Sequence, residues 1–183
     1  MRVVVRGAFL ATLATLAPVA ASPAVQSGPT GFVVKVEATV AAPPARVYEV
    51  LVKQVGAWWD PAHTFSGDAG NLSIDARPGG CFCERLPGGG GVEHLRVVYV
   101  APGEVLRMSG ALGPLQSSGL AGSLTWKLTG APGGAKVEVS YSVGGFMEGG
   151  LEAIAPAVDA VLGAQLQRLK LFAETGKPTR GAE

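Results

Sequence analysis

The sequence has 183 residues, of which 48% are hydrophobic and 16% charged, with 27 glycines, 13 prolines, two cysteines and two histidines. This composition is typical of a globular protein with one hydrophobic core, and it excludes a long disordered chain, a collagen-like chain and a disulfide framework. The formal net charge is +1, and the basic residues are scattered along the chain. We therefore expect no nucleic-acid partner, because such partners need a clustered basic surface.

The first 21 residues have the pattern of a secretory signal peptide. Arg2 and Arg6 supply the positive start, residues 7–16 are mainly apolar, and small residues precede Ala21. A membrane anchor is the alternative, but the apolar run contains two threonines and is shorter than the roughly 20 residues that span a bilayer. We expect cleavage after Ala21, a periplasmic or secreted protein, and no stable membrane anchor after cleavage.

The elements that follow begin with a strand and a short helix. Residues 22–31 are rich in Ser, Pro and Gly and are interpreted as a flexible leader. Apolar and polar residues alternate over 32–40, which predicts a strand. Pro44 and the helical spacing of the next valines and leucine predict an amphipathic helix to about residue 55, with Gly56 ending it.

The middle of the chain reads as an antiparallel meander, and its end as one long helix. Turn residues separate six further predicted strands, at 72–75, 81–86, 92–100, 104–109, 124–128 and 136–143. An apolar loop at 110–122 interrupts the meander. Helical periodicity from Leu151 to Phe172 predicts a long helix over about 151–174. No internal boundary divides 32–175, which we interpret as one domain followed by a disordered tail at 176–183.

Several segments in this order carry a family resemblance. They are residues 41–48 entering the first helix, the Trp58-Trp59 pair, residues 77–82, residues 101–106 and the amphipathic C-terminal helix. With them the chain resembles the SRPBCC superfamily, which has the START and pollen-allergen-like helix-grip fold. It is most similar to the polyketide-cyclase and heat-shock-protein-90-ATPase-activator-like branch.

The resemblance implies an α+β fold in which an antiparallel sheet curves around one long C-terminal helix, with short helices after the first strand. It also implies an apolar cavity between sheet and helix that binds lipids, hormones or polyketide-like compounds in different members. It does not determine an activity, because members include enzymes, carriers and co-chaperones. The chain departs from cytoplasmic members of that branch through its signal peptide and its Cys81-x-Cys83 motif.

The hairpin that contains the two cysteines decides which side chains face the long helix. A tight turn that pairs Leu86 with Val92 would place Cys83 opposite Leu95. We assign to the helix the more apolar face, which carries Cys81, Cys83, Leu95, Val97 and Tyr99. The other face carries Phe82, Glu84, His94 and Arg96, and we interpret its charged residues as a solvated ion-pair cluster rather than a site. A bulge in the turn at 88–91 would invert this assignment.

The cysteine pair itself is interpreted as two free thiols. On an extended strand the alpha carbons of Cys81 and Cys83 would lie about 6.8 Å apart, at the edge of disulfide geometry. A soft-metal site is the alternative, but zinc usually needs four convergent ligands and the chain has only two histidines. We therefore predict two buried thiols on the cavity face, and neither a metal nor a cofactor.

Aromatic residues and one histidine complete the candidate site. Adjacent side chains cannot both point inward from one short element, so either Trp58 or Trp59 should be available to a ligand. Of the two histidines, His63 is the better general acid or base, because a polar run follows it. The candidate ligand-binding residues are Trp58, Trp59, His63, Phe65, Cys81, Cys83, Tyr99, Trp126 and Tyr141.

These residues predict a binding protein for a small apolar, lipid-like or polyketide-like molecule outside the cytoplasm, monomeric or weakly dimeric. The loop at 110–122 would serve as a lid. The alternative is a cyclase-like or hydrolytic enzyme in which His63 transfers a proton to a ligand oriented by Tyr99 and a tryptophan. The nucleophile-elbow, zinc-protease, P-loop and dinucleotide-binding motifs are all missing from the sequence. A co-chaperone role is disfavoured, because the signal peptide would send the chain away from a cytoplasmic partner.

Overall fold

The structure is a computed structural model that describes residues 25–179. The predicted signal peptide at 1–21, the first residues of the leader and residues 180–183 of the tail lie outside the described residues. Among residues 25–179, no helix combines the length and the apolar character that crossing a membrane requires.

One eight-stranded antiparallel sheet forms most of the described chain. Its strands are β1 (Val25–Gly28), β2 (Gly31–Val40), β3 (Leu72–Ile74), β4 (Cys81–Arg85), β5 (Gly91–Ala101), β6 (Val105–Ser109), β7 (Ala121–Ala131) and β8 (Gly134–Gly144). Their order across the sheet is β1-β2-β8-β7-β6-β5-β4-β3. The meander from β3 to β8 is therefore continuous, and β8 joins it to the N-terminal strands.

The sheet begins earlier than the sequence analysis expects. Val25 pairs with Val34 and Gly28 with Gly31, so part of the expected flexible leader is an edge strand. The backbone of β2 offers one free edge, and pairing with β1 satisfies hydrogen-bonding groups that would otherwise face solvent.

In the described part of the chain, three α-helices accompany the sheet: α1 (Pro44–Lys53), α2 (Val55–Trp58) and α3 (Ala155–Thr175). Helix α1 ends at Gln54, whose backbone leaves the helical region, so Gly56 lies inside α2 instead of ending the first helix. Helix α3 begins at Ala155, later than expected, with a proline in its first turn, where the missing N–H has no helical partner to lose. It ends at Gly176, which has a φ of 74°.

The sheet buries its inner face against α3 and α1. Leu162, Leu166 and Leu169 repeat at helical spacing along α3 and are fully buried. Opposite them, β2 and β8 contribute alternate apolar side chains, as expected for strands with one face on the core. A curved antiparallel sheet holding a long C-terminal helix, with short helices after an early strand, confirms the expected helix-grip fold.

The β4–β5 hairpin has a different register from the one expected. Cys83 pairs with Glu93 instead of Leu95, and a bulge between Phe82 and Cys83 shifts the ladder so that Phe82 pairs with Leu95. The bulge lies within the strands rather than in the turn. It lets both His94 and Leu95 face inward, and it turns Phe82 and Glu84 into the core. The assignment of faces is therefore correct for Leu95, Val97 and Arg96, but it is wrong for Phe82, Glu84 and His94, which are buried, and for Cys81, Cys83 and Tyr99, which are not.

Candidate ligand-binding pocket

A pocket of about 390 Å³ lies between α3, the 110–122 loop and the segment that follows α2. Side chains of β4 and β5 form its floor. It is lined by Trp59, Ala62, His63, Thr64, Phe65, Phe82, His94, Leu112, Gly113, Pro114, Leu115, Ile154, Ala157, Val158, Val161 and Leu162. The lining is largely aliphatic and aromatic, so the pocket favours an apolar ligand.

Both tryptophans of the adjacent pair are buried. Trp58 is 0% and Trp59 is 6% exposed, because the helix ends between them and Trp59 adopts an extended backbone. The indole N–H of Trp58 donates to the carbonyl of Val50, and that of Trp59 donates to the carbonyl of His63. Trp59 lines the pocket, as expected of one of the two, whereas Trp58 packs in the core against Trp126.

Helix α3 holds this segment in place through polar contacts. Arg168 Nε donates to the carbonyl of Trp58 at 2.9 Å, and its Nη2 donates to that of Trp59 at 3.3 Å. Gln165 is fully buried, and its Oε1 accepts a hydrogen bond from the backbone N–H of Asp60 at 3.0 Å. These bonds satisfy carbonyls and an amide where the chain leaves α2, and they connect the wall of the pocket to the long helix.

A carboxylate and an imidazole form a buried pair at the floor of the pocket. Glu84 is 2% and His94 is 5% exposed, and His94 Nε2 lies 2.9 Å from Glu84 Oε2. The backbone N–H groups of Phe65 and Ser66 also donate to the Glu84 carboxylate. A charged side chain is tolerated in the protein interior when it is paired and hydrogen-bonded, and Glu84 meets both conditions. This contradicts the expected solvated cluster, and Arg96 lies apart from the pair in an exposed ion pair with Glu93.

Burial and hydrogen bonding determine the protonation of this pair. Burial raises the pKa of Glu84, but the hydrogen bonds from Ser66, Phe65 and His94 outweigh it, so the pKa is lowered. Burial lowers the pKa of His94, and the contact with Glu84 only partly offsets this. Near neutral pH, Glu84 is therefore an ionised acceptor and His94 a neutral imidazole.

The 110–122 loop covers the pocket and is attached at its start by Tyr141. The Tyr141 hydroxyl donates to the carbonyl of Gly110 at 3.1 Å and accepts from the N–H of Leu112 at 2.9 Å. Burial raises the pKa of Tyr141 to about 12, while the Leu112 N–H acts in the opposite direction. Tyr141 therefore orients the lid from beneath instead of lining the pocket.

A second contact secures the middle of the lid. Gln116 lies in the 3₁₀ turn Gly113–Ser118, and its Nε2 donates to the carbonyl of Glu93 at 2.7 Å. The two ends of the loop meet where the N–H of Gly110 donates to the carbonyl of Gly122. A Cβ at position 122 would lie 2.7 Å from the carbonyl oxygen of Gly110, which is too close, so the two ends of the loop can approach each other only with glycine at this position.

His63 and Phe65 lie at the rim of the pocket. Both line it, and both side chains are solvent-exposed. Within residues 25–179 the ring of His63 has no carboxylate partner; its backbone N–H donates to the carbonyl of Asp60, and its carbonyl accepts from the indole of Trp59. The geometry therefore favours His94 over His63 as the polar group that a bound molecule would meet.

The two cysteines and Tyr99 lie away from the pocket. Cys81 and Cys83 face the outer side of the sheet and form a disulfide, with alpha carbons 5.4 Å apart, so the prediction of buried free thiols is wrong. This separation is shorter than the one expected for a regular strand and lies within the range that a disulfide spans. Tyr99 is 49% exposed beneath the Arg107 guanidinium, because a second irregularity in β5 turns it outward.

Sequence reasoning missed three residues at the floor of the pocket. Phe82, Glu84 and His94 were placed on the solvent face, although burying a phenylalanine ring removes more apolar area from water than burying a thiol does. That comparison could have favoured the other face. The described residues contain no cluster of three or more metal-ligating side chains.

A family model described as polyketide cyclase / dehydrase and lipid transport matches residues 32–174. The match spans the sheet from β2 onward, the lid and nearly all of α3. Among curated protein sequences, none matches the chain significantly.

Solved structures show the same fold at low sequence identity. A conserved protein of unknown function from Enterococcus faecalis, EF2215, has a TM-score of 0.59 at 17% identity, covering 83% of this chain and 77% of that one. DynU16, from the dynemicin biosynthetic locus, has a TM-score of 0.57 at 21% identity. The match covers 81% of this chain and 49% of DynU16, so this chain spans about half the length of DynU16. The Aha1 dimer from Colwellia psychrerythraea has a TM-score of 0.56 at 18% identity, and the match covers 79% of this chain and 98% of that one. These likenesses support the fold alone.

Proposed function

Because this chain belongs to the polyketide cyclase / dehydrase and lipid transport family, we propose that it binds a small apolar molecule in the pocket beneath the 110–122 lid. The observation that carries the proposal is a pocket of about 390 Å³ with an apolar and aromatic lining. Ligand pockets commonly measure about 300 to 1,000 Å³ and combine such a lining with a few polar groups. The volume is near the lower end of that range, which favours a compact molecule over a lipid with two long chains.

The structure of the lid supports a pocket that opens for a ligand rather than a permanently closed core. The loop contributes four lining residues, Leu112, Gly113, Pro114 and Leu115, and it is attached by hydrogen bonds at its start and middle. Gly113 and Gly119 have positive φ values and lie at the two ends of its 3₁₀ turn. A loop attached at defined points can move aside for a ligand while the sheet stays intact.

Two matched substitutions on α3 test the pocket. Ala157 and Ala160 are both exposed alanines on this helix, but only Ala157 lines the pocket. With N-phenyl-1-naphthylamine as a neutral fluorescent probe, we expect Ala157→Trp to weaken binding at least about tenfold by filling the pocket, and Ala160→Trp to bind like wild type. Equal affinities for the two variants, or no probe binding by wild type, would contradict the proposal.

We also propose that the protein functions outside the cytoplasm. The support is the sequence of residues 1–21, with its positive start, apolar centre and small residues before Ala21. When the full chain with a C-terminal epitope is expressed, the mature form should begin at Ser22 by intact mass and be recovered from the periplasm or medium. Recovery of an uncleaved chain from the cytoplasm would overturn this proposal and leave the binding proposal intact.

A further inference from the structure

The hydrogen bonds of Glu84 determine which nitrogen of His94 carries the proton. The Glu84 carboxylate accepts from the N–H groups of Phe65 and Ser66 and lies 2.9 Å from His94 Nε2. An ionised carboxylate only accepts hydrogen bonds, so the proton between the two side chains belongs to Nε2 of His94. In the neutral imidazole, Nδ1 then has a free lone pair.

That lone pair has no partner within residues 25–179. Among the described residues, Nδ1 of His94 makes no hydrogen bond, and it is not one of the fully enclosed polar atoms that lack a partner. His94 lines the pocket, so the pocket is the place from which a donor could reach it. An acceptor left unpaired in an apolar cavity costs free energy, and a ligand that donates to it removes this cost.

The surroundings of His94 favour an aromatic donor. The Phe82 ring lies 5.0 Å from the imidazole and the Phe65 ring 5.8 Å, centroid to centroid. Trp59 packs against Phe82 at 5.2 Å. Flat rings bind well among such side chains, through offset or tilted contacts. Other polar lining groups, His63 and Thr64, belong to the segment at the rim.

We propose that the Glu84–His94 pair is the specificity-determining end of the pocket and that the ligand is an apolar aromatic molecule with a hydroxyl group, a phenol, whose O–H donates to His94 Nδ1. Glu84 holds the imidazole in the required tautomer and orientation, while the apolar walls take the rest of the molecule. The inference rests on the proposed function, because it assigns the ligand class of the same pocket.

The test compares 2-naphthol with 2-methoxynaphthalene, which has a similar shape but no hydroxyl donor. Wild type should bind 2-naphthol about tenfold more tightly, as one hydrogen bond to a buried acceptor predicts. His94→Phe keeps a ring and removes the acceptor, so it should bind both compounds with similar affinity. Tyr99→Phe, which removes a polar atom from an exposed ring on the outer face of the sheet, away from the pocket, should retain the wild-type preference.

A measurement on the unmodified protein removes any dependence on how the variant folds. The chain has two histidines, so ¹⁵N-histidine labelling gives a simple spectrum that the His63→Phe variant assigns. Adding 2-naphthol should shift the Nδ1 resonance of His94, and adding 2-methoxynaphthalene at equal occupancy should leave it in place. If wild type binds both compounds equally and the resonance does not move, this inference fails while the pocket proposal stands. If neither naphthalene nor N-phenyl-1-naphthylamine binds, the proposed function fails as well.

Discussion

His94 Nε2 lies 2.9 Å from Glu84 Oε2 inside the protein, on two strands that the β4–β5 turn brings together. The pair exists because a bulge at Phe82 and Cys83 turns Glu84 inward and admits His94 to the same face. A neutral imidazole supported by an ionised carboxylate is therefore built into the pocket floor, and the pair makes folding sensitive to acid.

Stability should fall as the pH is lowered below about 6.5, the ordinary pKa of histidine. Burial lowers the pKa of His94 in the folded protein, so on acidification the unfolded chain binds a proton at this histidine before the folded chain does. Acidification therefore lowers the free energy of unfolding. The lowered pKa of Glu84 acts in the same direction below about 4.5, where the unfolded carboxyl protonates first. Urea unfolding measured from pH 7.5 to pH 5, in steps of about one unit, gives the effect of His94 on the free energy of unfolding.

In this experiment His94→Phe should flatten the pH dependence between 7 and 5, a window of about two units around the ordinary histidine pKa. His63→Phe is the control, because His63 is exposed and has no carboxylate partner in the described chain. A wild-type stability that stays constant or rises on acidification through this window would contradict the buried neutral state of His94.

Tyr141→Phe should detach the start of the lid. The variant loses the hydrogen bonds to the carbonyl of Gly110 and from the N–H of Leu112. We expect the free energy of unfolding to fall by about 1 to 3 kcal/mol, since buried polar groups lose their partner. Hydrogen exchange at the Leu112 amide should accelerate. Tyr99→Phe, the same change on the exposed outer face, should alter stability by less than about 0.5 kcal/mol; equal effects of the two changes would argue against this role of Tyr141.

Cys81 and Cys83 should not react with a thiol reagent in the denatured, unreduced protein, and both should react after reduction. Replacing both with serine removes a crosslink that closes a very short loop, so the loss of stability should be modest, about 1 to 2 kcal/mol. Probe binding should be retained, because the disulfide lies on the outer face of β4. Two reactive thiols before reduction would show that the bond is not formed.

Arg168→Met should loosen the segment that carries the tryptophan pair. The guanidinium donates to the carbonyls of Trp58 and Trp59, and the methionine keeps a long apolar stem without donors. Hydrogen bonds from charged groups contribute about 1.5 to 3 kcal/mol, and we expect a loss of stability in that range by urea unfolding. Arg85→Met, an exposed arginine at the end of β4, should change stability by less than about 0.5 kcal/mol. Similar losses in both variants would show that the contacts to the tryptophan carbonyls contribute little.

Local patterns in the sequence were sufficient to predict the architecture. Alternation marked β2, helical spacing marked α1 and α3, and Gly and Pro residues marked the turns of the meander. The same patterns identified Trp59, His63 and Phe65, which all line the pocket, and the apolar loop that covers it. Each of these features depends on residues that are close together in the sequence, so a short stretch of sequence is enough to predict it.

The tertiary structure decided the polar part of the site. Whether Cys83 or Glu84 faces inward depends on one inserted residue in the β4–β5 ladder, because side chains alternate and a shift by one residue exchanges the two faces. That bulge is stabilised by groups distant in sequence, including the lid residue Gln116, which donates to the carbonyl of Glu93 beside it. The burial of the Glu84–His94 pair likewise needs the backbone of Phe65 and Ser66, and only the folded chain brings these groups together. Alternation predicts that the two faces of a strand differ, whereas packing across the molecule selects which face is buried.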